Sequence, residues 1–215
     1  KFLVDSIPKE KIKYDIELHK LENINQINAF FSDETNEKFD YIVFSDGVFS
    51  KSKSIISKEI INPKFNNSIA LRGKLNEFHI RDISIFMGSK FHYVIYPVNQ
   101  NNDYNFVAIL KNKLNEKDIL SENFFKSVDF LKSLKDTVNE NSYLNLNNLM
   151  EIKAFPVFVS DKMQIIKKKN VFLSGDALFA FPPSFAQGAS QSIETAEDIF
   201  QDIKNNTGKS YKNRI

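Results

Sequence analysis

The sequence predicts an α/β fold that is interrupted by an inserted antiparallel β-sheet. Patterning like that of a βαβ unit occurs at both ends of the chain, where apolar strands at residues 41–45 and 171–174 end in Asp-Gly or Gly-Asp turns. Between them, residues 68–111 hold four short β-rich runs separated by Asn, Gly and Ser turns, which is typical of an antiparallel sheet.

The first elements are strands. Residues 13–24 alternate apolar and polar side chains, as a half-buried strand does. A second strand and a polar turn at residues 33–38 precede the third strand, Tyr41–Ser45. Because this third run is continuously apolar before its serine, it suits a strand covered on both faces in a parallel or mixed sheet.

The later elements follow the β-rich block. Apolar residues repeat every three to five positions over residues 117–138, which predicts an amphipathic helix or a pair of helices. A strand at 152–160, a strand at 171–174 and a helix from about Gln187 to Lys204 complete the chain. We therefore expect three segments, 1–66, 67–150 and 151–215, the third beginning with the strand at 152–160.

Composition limits the classes of function. Among 215 residues, 42% are hydrophobic, so the chain can form a real core, and the net charge of +2 gives no basic field for nucleic acid. There is no cysteine, and the three histidines lack the spacing of metal ligands, so we predict no metal site. No apolar run has the length of a membrane span. We expect a cytoplasmic protein, with peripheral membrane association and oligomeric state left open.

The junction at Ser174–Phe200 combines features suited to a ligand. Gly175 lets a ligand approach the backbone, and Asp176 at the end of a strand can accept hydrogen bonds from ligand hydroxyls. Pro182 and Pro183 fix the loop. The following helix begins near Gly188, where the helix dipole favours a negative or electron-rich partner. Gly-Asp is also a common turn, so a plain strand–turn–helix connection remains the alternative.

The same junction resembles the second flavin motif of the class A flavoprotein monooxygenases, the para-hydroxybenzoate hydroxylase-like family. Residues 172–199 are similar to that family's Gly-Asp-Ala-Ala-His, Pro loop, Gly-Gln-Gly-x-Asn and following helix. Residues 41–55 resemble its Asp-Gly motif, and residues 93–99 its strand ending in Tyr/Pro-Val. The three similarities occur in family order. They imply a Rossmann-like FAD-binding domain with an inserted β-sheet substrate domain.

The resemblance implies roles for individual residues. Asp176 would contact the ribityl and pyrophosphate region of FAD, and the helix start would face the flavin's pyrimidine edge. The flavin-binding residues that the resemblance implies are Asp46, Gly47, Gly175, Asp176, Pro183, Gln187, Gly188, Ala189 and Ser190. The chain departs from the family at several positions, which leave its branch open: Lys53 replaces an arginine, Leu178 an alanine, Phe179 a histidine, Ala186 a glycine and Ser190 an asparagine.

By the same resemblance, the activity is hydroxylation of a small, usually aromatic substrate with FAD, NAD(P)H and oxygen. No Ser/His/Asp set is needed for this cofactor chemistry. The candidate substrate-binding residues are Phe86, His92, Tyr96 and Pro97, although aromatic residues on strands are more often part of a core.

The family's first flavin element, a Gly-x-Gly-x-x-Gly turn, does not occur among the six glycines, and only 45 residues precede Asp46. We therefore expect an N-terminally truncated flavoprotein. Two alternatives stay open. One is another flavin oxidoreductase on the same fold, a reductase or a halogenase, because fold alone does not fix function. The other is a non-catalytic fragment or degenerate paralogue that acts as a binding module.

Overall fold

In a computed structural model of the protein, the described residues are 2–22, 26–57, 62–76, 80–99, 103–140, 147–163, 166 and 169–206. The strands are β1 (Leu18–Glu22), β2 (Ile27–Phe31), β3 (Asn36–Phe39), β4 (Ile42–Phe44), β5 (Lys64–Asn76), β6 (Ser84–Met87), β7 (Phe91–Pro97), β8 (Asp103–Lys111), β9 (Met150–Val159) and β10 (Val171–Leu173). The helices are α1 (Phe2–Asp5), α2 (Lys51–Ser57), α3 (Glu116–Ile119), α4 (Glu122–Lys126), α5 (Val128–Glu140) and α6 (Gly188–Asn205).

The chain divides into two compact units. Unit 1 comprises Lys1–Asn62, Lys162–Ala180 and Gly188–Ile215, and unit 2 comprises Pro63–Asp161 and Phe181–Gln187. The predicted α/β fold with an antiparallel sheet inserted between its two ends is confirmed.

Unit 1 contains two small sheets. β1, β2 and β3 form an antiparallel meander, and β4 pairs in parallel with β10. The parallel pairing brings together strands that are far apart in sequence. The side chains of β10 are buried in a core that also includes Ile27, Phe44, Leu178 and Ile199. This core fixes the ends of β4 and β10 relative to the face of α6 that carries Ile199.

Unit 2 is built on a five-stranded antiparallel sheet in the order β6-β7-β8-β5-β9. Successive side chains on a strand point to opposite faces. Leu71, Ala108 and Tyr93 are register partners on one face, and all three belong to a core that includes Phe125 and Leu134 of the helices. We call this the covered face. The other side, which carries Val94 and Val107, is called the open face.

Two details of the predicted elements differ from the structure. β9 was expected in the third segment, 151–215. It belongs instead to the sheet of unit 2, because it pairs with β5. The boundary of unit 2 therefore follows Asp161. The amphipathic stretch 117–138 forms three helices. α3 starts after Asn115, whose side chain accepts a hydrogen bond from the Asp118 N–H, and α4 starts after Ser121, which accepts from the Phe124 N–H.

Candidate functional site

Two of the predicted motifs lie side by side in unit 1. Asp46-Gly47 follows β4, and Gly175-Asp176 follows β10. The two strands are parallel and paired to their last residues, Phe44 and Leu173, and the Ser174 N–H donates to the Phe44 carbonyl at 2.9 Å. Both motifs therefore leave the same edge of the sheet. In open α/β sheets, ligands bind at the carboxyl ends of the strands.

The Asp46 carboxylate organises the loop between β4 and α2. One carboxylate oxygen accepts a hydrogen bond from the Ser50 hydroxyl at 2.6 Å, and the other accepts from the Ser52 N–H and hydroxyl at 3.0 and 2.8 Å. Partial burial raises the pKa of Asp46, but these hydrogen bonds together outweigh it, so the pKa lies below its usual range. Asp46 is thus held ionised and fixes the start of α2.

Lys53 is a buried lysine at the same site. It is only 5% exposed, and burial lowers the pKa of its ammonium group, opposed by the charges of Asp46 and Asp176. A cation near two carboxylates from different strands compensates their charge. Lys53 therefore links electrostatically the two motifs that the sequence analysis treated separately.

Gly175 is at a position that requires a glycine. Its φ is +58°, in the left-handed region, and a Cβ there would lie 2.8 Å from the Ser192 hydroxyl oxygen of α6. Its carbonyl accepts hydrogen bonds from the N–H groups of Leu178 and Phe179 at 2.9 and 3.0 Å. The absence of a side chain at Gly175 lets α6 approach the Gly-Asp turn closely at Ser192.

The N-terminus of α6 is exposed. Gly188, Ala189 and Ser190 are all solvent-accessible, and a Cβ added at Gly188 would meet no atom within 4 Å. The helix is 18 residues long, so the positive end of its dipole lies at this turn. This turn belongs to the same unit as Gly175 and Asp176.

The loop that leads to α6 belongs to unit 2. Pro183 begins a short 3₁₀ turn, Pro183–Phe185, and Gln187 is exposed. Ala186 has a φ of +52°, in the left-handed region. Ala186 occupies the position where the family resemblance expects a glycine. The backbone therefore keeps the conformation that favours glycine although the residue is alanine.

The four candidate substrate residues divide between the two faces of the five-stranded sheet. His92 and Tyr96 lie on the open face with Val94; partial burial lowers the pKa of His92, and Tyr96 accepts a hydrogen bond from the Asn105 amide. Phe86 stacks on Tyr93 in the core, with ring centroids 4.7 Å apart. Pro97 follows the alternation of Tyr93 and so faces the same side. The two faces cannot be separated from the sequence pattern alone, because their assignment requires the register of the strands.

Three residues of the unit 1 site were not predicted from the sequence. Ser52 supplies two of the three hydrogen bonds to Asp46, and Ser192 lies against Gly175. Lys53 was recorded only as a departure from the family pattern, although a lysine two residues after the start of a helix next to Asp-Gly was a possible signal. No sequence signal marks Ser192, because its contact with Gly175 depends on the tertiary fold.

Comparison with known proteins identifies the fold. No protein-family model and no curated protein matches the sequence. Among solved structures, the chain is similar to Klebsiella pneumoniae HpxO complexed with FAD and uric acid (12% identity, TM-score 0.68, 92% of this chain and 51% of that chain). It is also similar to 2,6-dihydroxypyridine-3-hydroxylase from Arthrobacter nicotinovorans (17%, 0.69, 88% and 55%) and to salicylate hydroxylase (16%, 0.67, 86% and 50%).

These neighbours are class A flavin monooxygenases, as the sequence resemblance predicted. The chain spans about half the length of each. HpxO and CtdE, another similar structure (17% identity, TM-score 0.68), were solved with FAD bound. Within the part of the chain that the structure describes, no helix is long and apolar enough to cross a membrane.

Proposed function

We propose that this chain, which has the fold of the class A flavin monooxygenases, is part of an FAD-dependent monooxygenase that hydroxylates a small aromatic substrate with NAD(P)H and oxygen. The observation that carries the proposal is the position of the two motifs. Asp46-Gly47 and Gly175-Asp176 lie side by side at the carboxyl ends of β4 and β10, in a fold whose neighbours HpxO and CtdE bind FAD.

The residues at this edge fit the chemistry of FAD. A Cβ at Gly47 or Gly188 would meet no atom within 4 Å, so the backbone is accessible to a ligand at both positions. The partly exposed Asp176 offers a carboxylate to ligand hydroxyls, and the N-terminus of α6 offers a positive dipole to negative charge. FAD carries a polyol, a diphosphate and an electron-poor ring. The carboxylate of Asp176 and the helix dipole are the kinds of group that bind such a molecule.

Within the proposal, Asp176 binds the ribityl and pyrophosphate region and Gly175 keeps the backbone close to it. Gly188, Ala189 and Ser190 stabilise negative charge on the pyrimidine edge of the reduced ring through the helix dipole. Asp46 fixes the start of α2, and through this helix Asp46 and Gly47 support the bound flavin. The bound flavin would supply hydride acceptance and oxygen activation.

The loop and the sheet have separate roles in the proposal. Pro183 and Gln187 hold the loop that precedes α6 near the ring. His92 and Tyr96 contact the substrate from the open face, where the Tyr96–Asn105 hydrogen bond orients the phenol. Phe86 and Pro97 act indirectly, by packing beneath this surface.

The test is flavin binding by the protein produced from its own gene. We expect a yellow protein whose visible absorbance is that of bound FAD, and FAD-dependent oxidation of NADH or NADPH that is stimulated by hydroxyaromatic compounds. Asp176→Ala should reduce FAD retention, whereas Asp161→Ala, an exposed aspartate of unit 2, should not.

The outcomes separate the alternatives. A protein that binds no flavin under any condition would contradict the proposal and favour the binding module. A flavoprotein that oxidises NAD(P)H but converts no aromatic substrate would instead be a reductase, and halide-dependent product formation would indicate a halogenase.

A further inference from the structure

One register row crosses the open face of the five-stranded sheet from an apolar end to a cationic end. On β6, β7 and β8 the row holds Ile85, Val94 and Val107, and it continues on β5 and β9 with Arg72 and Lys153. Register partners lie side by side with their side chains on the same face. Because neighbouring strands are about 4.8 Å apart, the change from valine to cation occurs within the width of a small molecule.

The cationic end of this row brings two like charges together. Arg72 and Lys153 are exposed and are direct register partners on adjacent strands. Like charges directly opposite each other destabilise a sheet. Neither residue forms an ion pair with any residue that the structure describes. An anion placed at both side chains would remove this repulsion.

The carboxylates near the row act on a different cation. A carboxylate oxygen of Glu151 lies 2.8 Å from the Nζ of Lys74, the next cation of β5 on the open face. The pKa of Lys74 is raised, first by its hydrogen bond to Glu151 and by the charge of that residue, and also by the charge of Asp103. Within the described part of the chain, the Arg72–Lys153 pair therefore keeps its positive charge uncompensated.

Phe155 places an aromatic ring beside the same two cations. It is 45% exposed, and the Arg72 guanidinium lies 5.8 Å from the centroid of its ring. The guanidinium makes no hydrogen bond to a residue that the structure describes, so its N–H groups are available to a ligand. Their planar fork matches the two oxygens of a carboxylate, and a lysine adds a second, less directional charge.

We infer that the open face binds an aromatic carboxylate, with its carboxylate at Arg72 and Lys153 and its ring on Val107 and Val94. Charge complementarity selects this class of molecule, because a neutral aromatic compound leaves the two cations uncompensated and a cationic one is repelled by them. The inference names the substrate class of the proposed monooxygenase, and it rests on the proposed function because it takes the bound acid to be the molecule that is hydroxylated.

The two candidate substrate residues of the open face lie on either side of the ring position. His92 and Tyr96 are two residues before and after Val94 on β7, so their side chains are on the same face in the neighbouring rows. The Tyr96 hydroxyl accepts a hydrogen bond from the Asn105 amide. Hydroxyl groups on the ring of the acid would therefore meet polar side chains on both sides.

Calorimetric titration of the protein tests the inference with three sets of probes that share one ring and one hydroxyl group: the ortho, meta and para isomers of hydroxybenzoate, hydroxybenzamide and hydroxybenzylamine. We expect the acid that binds best to bind about tenfold more tightly than its amide, and the corresponding amine to bind more weakly than either. Arg72→Gln should bring this acid to the affinity of its amide and leave the amide within about twofold of its original affinity.

Lys111 supplies the matched control. It is an exposed cation of β8 whose register partner is Ser68, and it lies on the open face two register rows away from Arg72. Lys111→Gln removes the same charge from the same face and should leave the preference for the acid within about twofold. Thermal unfolding of both variants checks that they are folded.

Three results would overturn the inference: no binding of any of the acids, equal affinities for every acid and its amide, or equal effects of Arg72→Gln and Lys111→Gln. Flavin content and NAD(P)H oxidation are measured on the same samples. A protein that retains FAD but shows no preference for acids rejects this inference alone. A protein that prefers acids but binds no FAD rejects the proposed function, and a flavoprotein that binds the acids without converting them rejects their role as substrates.

Discussion

The two glycines at the junction of β10 and α6, Gly175 and Gly188, differ in whether the structure has room for a side chain. Gly175→Ala places a Cβ in the left-handed region and 2.8 Å from the Ser192 oxygen. We expect it to lower the free energy of unfolding by about 1–2 kcal/mol from backbone strain alone. Gly188→Ala is the matched control, because a Cβ there has open space and alanine favours a helix. Urea unfolding of both variants measures the difference, and equal losses would contradict the assigned geometry.

Asp46 gives a pH-dependent prediction. Burial raises its pKa, but the hydrogen bonds from Ser50 and Ser52 outweigh it, so the pKa in the folded protein is lowered. A lowered carboxyl pKa contributes stability above the unfolded-state pKa, about 3.9, and that stability is lost as pH falls through the folded value. Asp46→Asn should therefore cost about 1 kcal/mol at pH 7, a value reduced for solvent screening.

The difference in unfolding free energy between the wild type and Asp46→Asn should shrink as pH falls below about 4. The exposed Asp161→Asn serves as the control and should leave the stability near that of the wild type at every pH. A loss at Asp46 that does not change with pH would mean that packing, and not the ionised carboxylate, is responsible.

Lys53 gives a pH-dependent prediction of the same sign as that for Asp46, at the alkaline end of the pH range. Burial lowers its pKa against the attraction of Asp46 and Asp176. Since the unfolded chain binds the proton more tightly, the contribution of Lys53 to stability is least favourable below its folded pKa and rises as pH increases toward the ordinary pKa of a lysine, about 10.4.

Lys53→Met should lower the free energy of unfolding at pH 7 by about 1–3 kcal/mol, because it removes only the cation and leaves Asp46 and Asp176 without their compensating charge, a cost reduced here by solvent screening. The stability of the wild type relative to the variant should then increase as the pH of urea unfolding is raised toward the ordinary pKa of a lysine, about 10.4. No loss at pH 7 would instead show that the two aspartates do not depend on the ammonium group for charge compensation.

At the scale of elements, the helices of unit 2 hold the covered face through a few side chains. Leu134 of α5 is 3% exposed and belongs to the core, whereas Val128 on the same helix is 78% exposed. Leu134→Ala should lower the unfolding free energy by about 2–5 kcal/mol, and Val128→Ala should have little effect. Thermal unfolding of the pair measures this, and comparable losses would mean that α5 packs by another face.

Some elements were predictable and others were not, for physical reasons. The β10–α6 junction was predicted because an apolar run, a Gly-Asp turn and a helical period are all local signals. The division of residues 117–138 into three helices was not predicted. The helix-capping residues Asn115 and Ser121 were not weighed against the regular spacing of the apolar residues. The placement of β9 depends on pairing with β5, residues far away in sequence, and a local pattern does not contain it.

The same distinction applies to the whole molecule. The order of the motifs indicated the fold that the structural comparison then confirmed. The grouping of Asp46, Lys53 and Asp176 required the parallel pairing of two distant strands. Likewise, His92 and Tyr96 were separated from Phe86 only by the register of the sheet. Sequence therefore identified the residues that carry chemistry more readily than their mutual positions.

The two units should differ in local stability, and flavin should leave hydrogen exchange in the sheet of unit 2 unchanged. In unit 2, β5 pairs with β8 from Ser68 to Asn76 and also pairs with β9, whereas β4 and β10 form a two-stranded sheet. Backbone amides with two paired neighbours open less often. Hydrogen exchange followed by mass spectrometry should show slow exchange in β5 and β8 and faster exchange in β4 and β10.

Added FAD should slow exchange at the end of β10 and the start of α6 and leave β5 and β8 unchanged, since binding protects the segments it contacts. Protection by FAD confined to unit 2, or none at all, would contradict the proposed flavin site.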